Sequence, residues 1–167
     1  YGECDNDLFN ASLATYLTIN CAMGSCRNSI VLSTAAGLNV SCQGSYSCYK
    51  MQIKYDGALV DDGYIDVTCN GSYSCQDVDI DAEYIDTMSI SCGEGSECSM
   101  SVNTNHTNEF IVNGLGYNSF NQSIFNADYA ETVNFNLLSS DSTPKTISTV
   151  SNTRTAASST KGNKTSC

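Results

Sequence analysis

The sequence predicts an all-β fold, a three-sided parallel β-helix (solenoid) of about six coils that is stapled by disulfides. A phrase of alternating apolar and polar residues recurs six times along the chain, with steps of 21, 27, 23, 22 and 23 residues between copies. Alternation with a period of two is typical of strands. A near-constant period of this size is typical of stacked units, each of which buries its apolar face against its neighbours.

Each copy of the phrase ends in a cysteine or in a residue that replaces one. The six copies occupy residues 17–21, 38–42, 65–69, 88–92, 110–114 and 133–137. A second cysteine follows in the first four copies, so one coil should consist of a strand, a cystine turn, a second strand, a corner and a third strand. The apolar residues after successive turns are expected to stack in the core, namely Met51 and Ile53 with Val78 and Ile80 and with Met100 and Val102.

The ten cysteines predict structural disulfides and an oxidising compartment. Their pairs recur once per coil, whereas zinc sites favour cysteines grouped in fours with roughly two to four residues between them. The predicted pairs are Cys21–Cys26, Cys42–Cys48, Cys69–Cys75 and Cys92–Cys98. Stacking also brings cysteines of neighbouring coils together, so bridges between coils remain an alternative. No metal or other cofactor is expected.

Six N-glycosylation sequons agree with a secreted or cell-surface protein that carries N-linked glycans. They lie at Asn10, Asn39, Asn70, Asn105, Asn121 and Asn163. Asn39 falls within a strand, where the alternation predicts an outward side chain. No apolar run is long enough to cross a membrane, and Tyr1 is expected to mark the processed end of a mature chain.

Charge divides the chain into an acidic body and a basic tail. Residues 1–138 carry 17 acidic and three basic side chains, a net charge of −14, whereas residues 139–167 carry one acidic and four basic ones, a net charge of +3. A body with this much negative charge is not expected to bind nucleic acid. The tail is rich in Ser and Thr, a composition that does not order by itself. We therefore expect a β-helix domain over 17–138 and a tail over 139–167 that docks on a neighbouring subunit.

The N-terminal segment, residues 1–16, is predicted to be either a cap or an arm. Apolar residues within 7–17 have helical spacing, which favours a short helix that plugs the first coil. Eleven residues form only a marginal helix, so an extended arm donated to a neighbour is the alternative. Cys4 and Cys167 fall outside the repeat, at opposite ends of the predicted column. They join either within one chain or head to tail between chains, and the second arrangement generates filaments.

The sequence contains little that suggests catalysis. His106 is the only histidine, and its position inside the sequon 105–107 favours a solvated loop residue over a catalytic base. Polysaccharide-cleaving solenoids need several acids or bases gathered in one cleft, and the spacing of the acids here predicts no such group. We therefore expect that the protein is not an enzyme.

Three aspartates alternate outward on one predicted strand, at Asp77, Asp79 and Asp81. Such a row suits calcium or a pair of carboxylates that cleaves sugars. Counting from the cysteines, however, places Lys50 beneath Asp77 and Lys54 beneath Asp81. Cross-strand ion pairs, each contributing roughly 0.2–1 kcal/mol, are the favoured interpretation over a calcium site.

Three tyrosines occupy similar places in successive turns, at Tyr46, Tyr73 and Tyr117. They are expected to stack into an exposed column. Such a column suits the binding of sugar rings, packing within the ladder, or an assembly face.

The phrase Cys-x-Gly-Ser-Tyr-Ser-Cys, at 42–48 and 69–75, resembles the cysteine-rich repeats of secreted cell-surface and flagellar-hair (mastigoneme-like) proteins of algae and other protists. The resemblance covers residues 17–137 and leaves both ends of the chain unmatched. It implies a glycosylated extracellular structural component, often of a fibre, and it implies no catalytic residue.

From these observations we expect a structural subunit of an extracellular glycoprotein filament or surface appendage. Its partners are copies of itself, joined head to tail through the coil ends and the terminal arms. The alternative is a monomeric secreted module that binds a cell-surface polysaccharide or another surface, and a polysaccharide-cleaving enzyme is less favoured. The outward strand residues are a mixture of Thr, Asn, Ser and Asp, not the regular threonine array expected of an ice-binding solenoid.

Overall fold

The structure, a computed structural model, describes residues 4–12, 14–58, 62–116 and 119–138, and the backbone of 146–150 and 154–158. Within these residues the protein is all β and contains no helix. The strands are β1 (Leu8–Ala11), β2 (Tyr16–Cys21), β3 (Ile30–Ser33), β4 (Gly37–Gln43), β5 (Gln52–Asp56), β6 (Tyr64–Asn70), β7 (Gln76–Cys92), β8 (Ser99–Gly114), β9 (Ile124–Asp128), β10 (Thr132–Leu137), β11 (Thr146–Val150) and β12 (Arg154–Ser158).

All strand pairs are parallel and form two ladders that meet at a corner. The first ladder runs β1-β3-β5-β7-β8-β9-β11 and the second β2-β4-β6-β7-β8-β10-β12, because β7 and β8 are long enough to turn the corner. The cystine turns form the third side, where the backbone also bonds between levels, as from the Tyr46 N–H to the Ser72 carbonyl. The predicted parallel β-helix is confirmed, with about five turns between β1 and β9 and one further level from the tail.

We call each level a rung and number the rungs from 1 (β1 and β2) to 6 (β9 and β10). The register follows the repeated phrase, since the second ladder aligns Cys21, Cys42, Cys69, Cys92 and Gly114. In the first ladder Ile53, Ile80, Val102 and Phe125 form one column, and all are buried. The predicted core stacks are therefore confirmed.

Four cystines close the turns of rungs 1 to 4 and all their sulfurs are buried. The pairs are Cys21–Cys26, Cys42–Cys48, Cys69–Cys75 and Cys92–Cys98, as predicted within turns. Stacking places the Sγ atoms of Cys42, Cys69 and Cys75 within 4.8 Å of one another. Since all three sulfurs belong to cystines, their proximity is accounted for without a metal.

Rungs 5 and 6 have no cystine among the described residues, and phenylalanines fill their core. Phe120 stands where the second cysteine of the turn stands in the other rungs. Phe125 packs edge to face against Phe110, Phe120 and Phe135, with ring centroids 5.8, 5.5 and 5.7 Å away. Phe110, Phe120 and Phe125 are fully buried, so burial of aromatic area replaces the covalent staple here.

The N-terminal segment forms a strand, and the predicted helix is wrong. β1 pairs in parallel with β3 of the same chain, which also excludes residues 8–11 as an arm donated to a neighbour. Ala11 is buried while Asn10 is exposed, so the period of two prevails over the helical spacing once a ladder edge is available. Arg27 donates a 2.5 Å hydrogen bond to Asp5, which holds the pKa of that carboxyl below its ordinary value.

The described parts of the tail also lie on their own chain. β11 pairs in parallel with β9 and β12 with β10, which aligns Thr146 with Ile124. The expectation that the tail docks on a neighbouring subunit is therefore wrong for these two strands. The physical reason is that the last strands offer an unpaired edge, and covering it within one chain avoids the entropic cost of association. Cys167 and Asn163 lie outside the described residues.

Candidate functional sites

The turn tyrosines of rungs 2 and 3 stack on the surface as predicted. The ring centroids of Tyr46 and Tyr73 are 5.2 Å apart, and the ring planes differ by 21°. Both residues have a positive φ, 56° and 57°, which turns the side chain out of the solenoid at a cost of roughly 1 kcal/mol or more. Tyr117, the third member of the predicted column, lies outside the described residues.

The tyrosine column is interrupted at rung 4, where Gly95 takes the tyrosine's place. Gly95 has a φ of 74° and precedes the buried Ser96, just as Tyr73 precedes the buried Ser74. A Cβ placed on Gly95 would meet no atom within 4 Å. The ring face of Tyr73 that points away from Tyr46 is therefore left uncovered by this position of the next rung.

A groove of about 260 Å³ opens beside Tyr73. Its other walls come from the rungs that follow, and their polar side chains are those of Gln76, Glu97, Ser99, Asn121 and Gln122. Because Tyr46 belongs to the preceding rung, the groove lies on the opposite side of the Tyr73 ring. The groove thus combines an aromatic side chain with several amides.

A second aromatic stack stands at the corner between the ladders. The ring of His106 lies between those of Tyr84 and Tyr129, with centroids 5.0 Å apart on both sides and interplanar angles of 15° and 12°. All three residues have a φ near 55°. His106 is exposed as expected, but it lies within β8 and not in a loop. The signal that could have found this stack is the near-equal spacing of the three residues, 22 and 23 positions apart.

The predicted ladder of ion pairs is wrong, although its register is right. Lys54 aligns with Asp81 across β5 and β7, yet the N-terminal pair of Arg27 and Asp5 is the only salt bridge among the described residues. Lys50 instead places its Nζ 5.0 Å from the centroid of the Tyr49 ring. Exposed ion pairs gain little over hydration, which explains why alignment alone does not form them.

No three carboxylates in the described part of the chain lie close enough to share an ion, although Asp56, Asp81 and Glu83 line one groove of about 360 Å³ together with Lys54. The one set of three ligand-type residues close enough to share an ion consists of the cystine sulfurs already described. Asp79 and Asp81 stand apart along the outer face of β7, and both are exposed.

The sequons differ in exposure. Asn10, Asn70 and Asn121 are exposed, whereas Asn39 is half-buried on the outward side of β4. Asn105 is also half-buried, and its Oδ1 has no hydrogen-bond partner in the described structure. The three exposed sites present the fewest steric obstacles to a glycan.

The N-terminal end of the solenoid is open and apolar. β1 and β2 are the first strands of their ladders, and each pairs on one side only with a described strand. The three most exposed large apolar side chains of the described structure all belong to rung 1. They are Met23 at 73% exposure, Tyr16 at 65% and Leu8 at 62%. An unpaired strand edge with exposed apolar side chains is a template for further strand pairing.

Comparison of the chain with protein-family models, with curated proteins and with solved structures found no match. The resemblance to mastigoneme-like repeats therefore stays a prediction. Among the described residues there is no helix with the length and apolar character needed to span a membrane.

Proposed function

We propose that the protein is a structural subunit of an extracellular filament or surface appendage, and that copies of it assemble head to tail. The observation that carries the proposal is the open end formed by rung 1. Two parallel strand edges and the side chains of Leu8, Tyr16 and Met23 are exposed there together. Cystines at four successive rungs and the sequons support an extracellular setting.

The two ends of the chain have opposite charge. Residues 1–27 contain three acidic side chains and one basic one, a net charge of −2, whereas residues 139–167 carry a net charge of +3. Two acidic bodies repel each other, so side-by-side contact is disfavoured. A basic end placed against an acidic end reduces that repulsion only in the head-to-tail arrangement.

Continuing the ladders defines the register of the proposed junction. Column positions repeat from Leu8 through Ile124 to Thr146 in the first ladder. The next subunit would therefore place its Leu8 on Thr146 and its Tyr16 on Arg154, with all strands parallel. A contact of this type uses two different surfaces and does not close on itself, so it propagates as a filament.

The test compares two lysine variants of the secreted, glycosylated protein in non-reducing buffer. Leu8→Lys places a charge at the proposed junction, whereas Ile30→Lys places the same charge one rung inward in the same column. We expect wild-type protein and I30K to form end-to-end polymers in negative-stain electron micrographs and in sedimentation velocity. L8K should need about tenfold higher concentration to polymerise, because a charged lysine on the strand edge opposes further strand pairing.

Wild-type protein that stays monomeric up to its solubility limit would refute head-to-tail assembly. Equal polymerisation of L8K and I30K would place the junction elsewhere and so overturn the role of rung 1. A denaturing gel with and without reductant then tests the predicted alternatives for Cys4 and Cys167. A ladder that collapses on reduction indicates a bond between subunits.

A further inference from the structure

We propose that the groove beside Tyr73 binds a pyranose ring of a neutral saccharide. This site would act in a monomer as well as in a polymer, so it does not rest on head-to-tail assembly.

The open face of Tyr73 provides the apolar half of such a site. Tyr46 covers the opposite face and fixes the orientation of the Tyr73 ring, which remains 36% exposed. Gly95, at the tyrosine's position in the next rung, contributes no ring to the column, and a Cβ placed on it would meet no atom within 4 Å. A flat aromatic surface presented in a fixed orientation suits the C–H face of a sugar ring, which is apolar and also flat.

The remaining walls provide the polar half. Gln76, Asn121 and Gln122 each carry an amide that can donate and accept hydrogen bonds, and the Glu97 carboxylate accepts them. Sugar hydroxyls also donate and accept, so these groups match them in type. Glu97, Asn121 and Gln122 are exposed and thus available to a ligand. A purely apolar ligand would desolvate these side chains without replacing their hydrogen bonds.

Charge restricts the class of saccharide. Glu97 lies in the groove, and the body of the chain carries a net charge of −14. Both disfavour uronic acids and sulfated sugars through repulsion. The volume of about 260 Å³ is below that of sites for drug-sized ligands, which fits one sugar unit better than a longer oligosaccharide.

The pyranose ring has two sources. Asn121 is both a wall of the groove and an exposed sequon, so the first N-acetylglucosamine of its own glycan could occupy the site. A separate neutral polysaccharide is the other source. Wild-type protein and Asn121→Gln, which keeps the amide and removes the sequon, distinguish them.

The experiment is saturation-transfer-difference NMR with N-acetylglucosamine, glucose and their short β-linked oligomers as probes. Each probe is added to glycosylated wild-type protein, to N121Q, and to variants made in the N121Q background. Tyr73→Ala removes the ring, Tyr73→Phe keeps it, and Gln122→Ala removes one amide without altering the turn. Tyr129→Ala is the matched control, because Tyr129 is also an exposed, stacked tyrosine with a φ of 55° but lies outside the groove.

We expect saturation transfer to sugar C–H protons in N121Q, retained in its Y73F and Y129A derivatives. The Y73A derivative should weaken binding about tenfold, and the Q122A derivative should weaken it by a smaller factor. Binding to glycosylated wild type as well identifies a separate saccharide as the ligand, whereas binding only after loss of the sequon identifies the glycan of Asn121. Absence of transfer from every probe, or equal binding by Y73A and Y129A, would overturn the proposal. Neither result bears on the polymerisation test.

Discussion

The cystine-stapled rungs, 1 to 4, and the phenylalanine-filled rungs, 5 and 6, share one backbone path and stabilise it by different means. In the first region a buried cystine closes each turn. In the second, Gly114 and Phe120 stand at the two cysteine positions, and Phe125 joins the aromatic side chains of both rungs. The parallel ladders therefore continue through β8, β9 and β10 without a disulfide among the described residues. The two regions differ in what destabilises them. Reducing conditions break cystines, whereas a change in side-chain shape disrupts aromatic packing.

The largest effect is expected where one side chain supports the whole cystine-free region. Phe125→Ala should lower the free energy of unfolding by about 3–5 kcal/mol, because it removes a buried ring that contacts three others. Urea unfolding with the cystines intact measures this loss. Phe9→Ala is the control, since Phe9 is only partly buried in rung 1. Equal losses for the two variants would contradict the proposed division of the molecule.

Removal of one staple should have a smaller effect confined to the other region. The double variant Cys69→Ala and Cys75→Ala opens a loop with a sequence separation of six and should cost roughly 2–3 kcal/mol in the chain-entropy model. Hydrogen exchange should show faster amide exchange in rungs 2 to 4 and little change in rungs 5 and 6. If rungs 5 and 6 lose protection equally, the rungs form a single cooperative unit and the comparison fails.

The smallest predicted effect is a dependence of stability on pH within the cystine-stapled region. Tyr55, inside rung 3, donates a 2.8 Å hydrogen bond to the Ala35 carbonyl. Burial, with the charge of Asp56 adding to it, raises the pKa of Tyr55 above its ordinary value of 10.0. The neutral hydroxyl therefore contributes its full stability below about pH 10, and the contribution falls as pH rises through the folded-state pKa.

Tyr55→Phe removes this hydrogen bond and should therefore lower the free energy of unfolding by about 1 kcal/mol at neutral pH. It should also lose less stability than wild type on going to alkaline pH. Melting temperatures of both proteins between neutral pH and about pH 11 test this. Parallel curves for the two proteins would show that Tyr55 does not couple to pH.

The ladders could be predicted from the sequence because each of their determinants is local. The period of two, the near-constant step between copies and the cysteine spacing predict the strands, the register and the cystines within turns, although bridges between coils remain an alternative from sequence. The β1 segment was not predictable in the same way. Its residues satisfy a helical spacing as well, and only the unpaired edge of β3 selects the strand.

The candidate sites depend on backbone conformations that counting residues from the cysteines does not reveal. Counting residues from Cys69 and Cys92 aligns Tyr73 with Ser96, whereas the backbone places Gly95 there, because the fourth turn distributes its residues differently. His106 joined its stack because three corner residues on successive rungs share a left-handed conformation. Both features arise from backbone conformation at single residues, which the apolar pattern does not record.

The corner has a consequence for how such a chain can change over evolutionary time. β7 and β8 turn it without a break, at Tyr84 and His106, whereas residues 57–63 separate β5 from β6 and account for the longest step in the repeat. Whole rungs can be duplicated or deleted, since each pairs only with its neighbours, and insertions can accumulate at the corner. A single-residue insertion within a ladder would instead turn every following side chain to the opposite face. Duplications and deletions are therefore expected to add or remove one rung at a time, and insertions are expected to concentrate at the corner.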